Sequence, residues 1–65
     1  MSMNWNKVVF DLQKAGMPIL QQAREVGVTR KTIDNWAKGV SEPLFSTGTI
    51  LLDVYRTVCG STEKL

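Results

Sequence analysis

The sequence predicts an all-α domain, a compact bundle of four helices. Apolar residues recur at i, i+3, i+4 and i+7 in successive segments, which is the signature of amphipathic helices. Almost no stretch alternates apolar and polar as a half-buried strand must. Gly16, Gly27 and Gly39 punctuate the periodic segments as helix stops.

The first helix is predicted from about Asn4 to Ala15, where Trp5, Val8, Val9 and Leu12 form a narrow inward stripe. Phe10 lies off that stripe, either wrapping round to the last helix or exposed. Gly16 ends the element. Pro18 suits the first turn of the second helix, which runs to about Val26 with Ile19, Leu20, Ala23 and Val26 inward.

The third helix is predicted to begin at Arg30, because Thr29 stands where a hydroxyl can cap the free amides of a first turn. Ile33, Trp36, Ala37 and Val40 fall within an arc of roughly 100°, and Arg30, Lys31, Asp34, Asn35 and Lys38 fill an arc of roughly 140° opposite. One face packs, with Trp36 a core residue, and the other is left for solvent or a partner. Gly39 stops the helix, and Pro43 guards against its continuation.

A fourth helix is expected from about Thr47 to Val58, its first turn weakened at Gly48 by about 1 kcal/mol relative to alanine. Ile50, Leu51, Leu52, Val54, Tyr55 and Val58, with Cys59, spread over roughly 200° of the wheel, more than one face against a small core needs. Two readings of that surplus stand open. One is a homodimer interface comprising Phe45, Leu52, Tyr55 and Cys59; the other is a wholly intrachain core partly covered by Leu44 and Phe45. The domain is drawn at residues 1–59, and the patternless tail of residues 60–65 is expected to be mobile.

Composition narrows the function. A chain of 65 residues makes one domain, near the lower size at which a single core suffices, and 43% hydrophobic with 22% charged residues is ordinary for a folded protein. No apolar run approaches the roughly 20 residues of a membrane span, and the N-terminus lacks the plan of a signal peptide, so a cytoplasmic protein is expected. With one cysteine and no histidine, an internal disulfide is impossible and zinc-ligand spacings are missing. Cys59 reads as a small hydrophobe. No histidine base, glycine-rich phosphate loop or helically paired carboxylates are present, so neither an enzyme, a metal or cofactor, nor a small-molecule substrate is expected.

The formal net charge is +2, and its placement matters more than its size. Arg24, Arg30, Lys31 and Lys38 outnumber Glu25 and Asp34 between positions 24 and 38, whereas basic and acidic residues balance elsewhere. That excess is a weak phosphate-attracting footprint, too small to hold DNA by electrostatics alone. It coincides with the spacing Ala23-x3-Gly27-Val28-x4-Ile33-x2-Trp36. There Ala23 permits close approach, Gly27 takes a positive φ and Val28 plugs the corner, the plan of a helix-turn-helix over about residues 18–38.

Residues 27–39, Gly-Val-Thr-Arg-Lys-Thr-Ile-Asp-Asn-Trp-Ala-Lys-Gly, resemble the Gly-Val-Ser-Arg-x-Thr-Ile-x-x-Trp-x-x-Gly run of the Cro and lambda-repressor-like DNA-binding family of phages and prokaryotes. Pro43 and Leu51-Leu52 are similar to that family's Pro-led fourth helix. The resemblance spans Met17 to Val58, about two-thirds of the chain. It implies a five-helix fold, here truncated because the chain is too short for a full fifth helix. It also implies a second helix across the phosphate backbone and a third in the major groove of a palindromic operator, bound as a dimer. Carried over residue by residue, base reading falls to Arg30, Lys31, Asp34 and Asn35, with Thr29 at the rim.

Arginine or lysine can donate to guanine, asparagine can pair with adenine, and aspartate can accept from cytosine N4, although Asp34 can also simply orient Arg30 or Lys38. Phosphate contacts fall to Gln21 or Gln22, Thr32, Lys38 and Ser41. The chain departs from the family at three places: Gln22 replaces a usually apolar residue, leaving Leu20 to fill the gap; Ile19 replaces a common phosphate-binding glutamine; and Glu42 lies in an often basic connection. The expected function is a small Cro-like repressor that binds double-stranded DNA as a homodimer. The alternative is a helical protein-interaction module, an anti-repressor or the partner of a larger regulator.

Overall fold

A computed structural model describes residues 3–60, and among these the chain is four helices with no strand. They are α1 (Trp5–Lys14), α2 (Ile19–Val26), α3 (Arg30–Lys38) and α4 (Phe45–Cys59). The tail expected beyond Gly60 lies outside the described residues. No helix among the described residues is long and apolar enough to cross a membrane.

Several boundaries have a local cause. The Asn4 side chain caps α1 by accepting from the Lys7 amide at 3.1 Å. After Gly16 the Met17 amide returns to the Leu12 carbonyl at 2.8 Å, fixing the exit of α1. Gly27, at φ 87°, closes α2, and both its amide and that of Val28 reach the Ala23 carbonyl, at 2.8 and 3.0 Å. The chain therefore turns within Gly27, Val28 and Thr29. The Thr29 hydroxyl then starts α3 by accepting from the Thr32 amide at 3.2 Å, as its position predicts.

The core comprises Val8, Val9 and Leu12 of α1, Ala23 and Val26 of α2, Ile33 and Trp36 of α3, and Leu51 and Tyr55 of α4. α3 packs on α1 and α2, and α4 packs on the same two helices, but α3 and α4 do not approach each other. The outward faces of α3 and α4 are thus separate surfaces. Trp36 is further held by Trp5, whose ring lies 6.4 Å away centroid to centroid at a 48° tilt. The Asn6 amide donates to the Ala37 carbonyl at 3.0 Å and ties the end of α3 to α1.

Several expectations are corrected. Leu20 is 49% exposed and Gln22 is fully buried, the reverse of the expected arrangement. Pro18 stands before the helix rather than in its first turn, so Ile19, Gln22, Ala23 and Val26 occupy the i, i+3, i+4 and i+7 positions of the inner face. Gln22 is tolerated there because its amide donates to the carbonyls of Val9 and Met17, at 3.2 and 3.0 Å. Val40 is 71% exposed instead of inward, because Gly39 adopts φ 77° and ends α3 before it.

α4 begins two residues earlier than expected, at Phe45, behind an extended Leu44 that offers no side-chain cap. Gly48 is a regular, buried helical residue instead of a frayed one. A Cβ there would lie 3.2 Å from the Trp5 ring, so glycine allows the indole to lie against α4. Ile50 and Val58 are exposed, and Phe10 takes the exposed alternative with the Lys14 ammonium 5.5 Å from its ring centre.

Candidate functional site

The outward face of α3 begins with Arg30 and Lys31 on its first turn, both exposed and, among the described residues, bonded to no other side chain. Beside them lies a groove of about 340 Å³ lined by Ile19, Arg30, Lys31 and Asp34. Ile19 is the first residue of α2 and Pro18 supplies no side-chain cap, so the opening amides of α2 face the same neighbourhood without an internal acceptor. The groove sets two cationic side chains beside the first residue of α2, with the Asp34 carboxylate on its wall.

Asp34 and Asn35 lie half-buried along the same helix. The Asp34 carboxylate pairs with the Lys38 ammonium one turn on, at 2.9 Å. The Lys38 side chain is mostly exposed, so the pair is worth only about 0.3–0.5 kcal/mol and a competing anion can break it. Asn35 has a side chain that bonds to nothing else among the described residues, while its carbonyl receives the Val40 amide at 3.0 Å and so helps to end the helix.

Three residues of the expected site are engaged elsewhere. Thr29 and Thr32 share a hydroxyl contact of 2.9 Å, and the Thr29 oxygen also caps α3, so both act first on the helix start. Gln22 is fully buried with its amide directed at Val9 and Met17, which removes it from any phosphate-binding role. Its Oε1 has no hydrogen-bond partner. Gln21 is exposed in the first turn of α2, and Ser41 is exposed after Gly39.

The residues assigned to a paired face on α4 also separate. Phe45 is 90% exposed, Leu52 is half-buried and Cys59 is exposed. Tyr55 is only 5% exposed, so it is a core residue and not an interface residue. Its hydroxyl donates to the Asp11 carboxylate at 2.7 Å, and Lys7 pairs with the same oxygen at 3.1 Å. The Tyr55 bond, followed by Lys7, holds Asp11 below the usual carboxylate range, and Asp11 pushes the phenol up to about 12.

The sequence carries no signal for the Asp11–Tyr55 link, because the partners are 44 positions apart. Cys59 points its sulfur toward the Asp11 carbonyl at 3.9 Å. Desolvation, then the Asp11 charge, raises its thiol pKa, which leaves it a poor nucleophile. Among the described residues no cluster of three or more histidine, cysteine, aspartate or glutamate side chains could hold a metal ion. Comparison with known proteins gives no match for this chain among family models, curated proteins or solved structures.

Proposed function

We propose that this chain is a sequence-specific DNA-binding regulator of transcription, a small Cro-like repressor acting in the cytoplasm of a prokaryotic cell or a phage-infected host. α2 and α3 are read as its helix-turn-helix, with α3 entering the major groove. The observation that carries the reading is the free Arg30–Lys31 pair at the start of a helix whose opposite face, through Ile33 and Trp36, is locked in the core. Such a helix presents donors to guanine edges from a rigid base, and Asn35 offers the bidentate edge that suits adenine.

α3 has nine residues and is about 14 Å long, and so faces about four base pairs. So short a contact reads too little sequence alone. The proposal therefore includes two copies on a palindromic duplex, each reading one half-site. Lys38, Gln21 and Ser41 are assigned to the flanking phosphates, Lys38 exchanging Asp34 for a phosphate oxygen.

Ionic strength tests this reading against a protein-interaction module built on the same scaffold. If each copy neutralises even two phosphates, affinity for a short labelled duplex falls at least about 10-fold between about 50 and 200 mM salt. Binding that ignores salt, or no binding at low salt, would refute the DNA reading, and a salt-insensitive complex with a protein would favour the module.

A further inference from the structure

α2 packs against α4, and the seam between them opens to solvent as a groove of about 410 Å³. Its floor is apolar. Ile50, Val54 and Val58 recur at i, i+4 and i+8 of α4 and so form one stripe about 12 Å long, which Met17 joins from the segment before α2. Ile50 and Val58 are 41% and 37% exposed, so the stripe is in contact with water.

The rim is acidic. α2 contributes the Glu25 carboxylate and α4 the Asp53 carboxylate, and no lysine or arginine lines the groove. That sign runs against the whole chain, whose formal net charge is +2. Glu25 forms no ion pair among the described residues, and Asp53 pairs only with Arg56 on its own helix. Both members of that pair are well exposed, so it is worth about 0.2–1 kcal/mol and an incoming cation can replace Arg56.

We propose that this groove docks a basic amphipathic helix of another protein, its aliphatic side chains entering along Met17, Ile50 and Val58 while flanking lysines or arginines reach Glu25 and Asp53. A cavity of about 150 Å³ holds one benzene molecule, so the groove has room for about two or three aliphatic side chains. Anchors at i, i+4 and i+7 of a helix span about 10 Å, which matches the stripe. The carboxylates disfavour phosphate and anionic lipid. A two-fold pairing of this chain through the groove would also set Glu25 and Asp53 of both copies in one interface, like charge beside like charge. An apolar stripe edged with cations complements the groove in shape and in sign. No residue of α3 lines it, so docking stands or falls apart from the DNA reading.

The probe is a labelled alanine-based helix of about 15 residues, with leucines at i, i+4 and i+7 and lysines on both flanks, set against a twin carrying glutamates instead of lysines. Titrated with the full chain, the lysine peptide should bind with a dissociation constant on the order of 100 μM, at least about 10-fold tighter than its twin. Its affinity should fall several-fold as salt rises from about 50 to about 500 mM. Amide resonances of Ile50, Val54 and Val58 should shift most on binding. Glu25→Gln combined with Asp53→Asn should weaken binding about 5-fold and remove most of the salt dependence. Ile50→Lys should abolish binding, and Phe45→Ala, beside a separate hollow, should bind like the parent. The double variant alters only exposed side chains, so it decides the matter should Ile50→Lys lose its helical circular dichroism. Equal affinity for the two peptides, no binding of the lysine peptide at about 1 mM, or shifts centred elsewhere would overturn the proposal. So would a mass that rises above 7.3 kDa with concentration in the parent but not in Ile50→Lys, which would give the groove to a second copy.

Discussion

Gln22 and Tyr55 occupy core positions that an apolar residue would ordinarily fill, and each is held by a partner supplied by α1 or its exit. Gln22 gives its amide to the Val9 and Met17 carbonyls, which links α2 to α1 and to the turn that leaves it. Tyr55 gives its hydroxyl to Asp11 and links α4 to α1. The second link is titratable. Asp11 has a folded pKa depressed below 3.8, chiefly by the Tyr55 bond, so its contribution to stability is complete above that value and is lost as pH falls through the lower folded pKa. Tyr55 is raised to about 12, so its contribution is complete below its ordinary 10 and is lost as pH climbs through about 12.

Tyr55 is the only tyrosine in the chain, which makes the alkaline limb easy to read. Absorbance of the tyrosinate should place its ionisation near 12 in the folded protein and nearer 10 in Asp11→Asn, provided each is still folded by circular dichroism. An unshifted titration in Asp11→Asn would show that the hydrogen bond does not exist in solution. On the acid side, the melting temperature of Tyr55→Phe should fall less below pH 3.8 than that of the parent.

At the scale of the element, α1, α2 and α3 were legible because each combines an apolar stripe with boundary signals, Thr29, Gly16, Gly27 and Gly39 among them. The start of α4 was not, since Leu44 gives no capping signal and Gly48 reads as a breaker until Trp5 is seen lying against it. The inner face of α2 was misassigned for a related reason. Hydrophobicity favoured Leu20 over Gln22, whereas the helical phase set by a start at Ile19 turns Gln22 inward and Leu20 out. Of the expected site, the exposed position of Arg30 and Lys31 was legible from periodicity, but the Asp34–Lys38 pair and the Thr29–Thr32 contact depend on rotamers that no spacing rule supplies.

α3 carries the central functional prediction of this scale. Lys31→Ala or Asn35→Ala should cost about 1–3 kcal/mol on a preferred duplex and little on random DNA, with relaxed preference at one base pair. Lys38→Ala should weaken binding to both duplexes alike, because a phosphate contact carries no sequence information. Anisotropy titrations of each variant against both duplexes separate the two patterns. Equal losses on both for all three variants would mean that the face does not read bases.

The whole molecule divides its outer surface by helix pair. α1 and α2 hold α3 on one side and α4 on another, and the two held helices do not meet. A small domain with a single small core has little stability in reserve, yet among the described residues the surface of α3 leaves Arg30 and Lys31 without a side-chain partner and that of α4 leaves Phe45 in water. The exposed Arg30–Lys31 pair is the part of that surface on which the proposed DNA reading rests.

Selection of bound sequences from a pool of random duplexes tests the central claim most directly, because affinity, symmetry and site length emerge together. The account predicts enrichment of a two-fold symmetric site, each half about four base pairs long, with the enriched sequence altered at one position per half-site for Asn35→Ala. A pool that remains random after selection, or the same enriched sequence from the parent, Arg30→Ala, Lys31→Ala and Asn35→Ala, would contradict it.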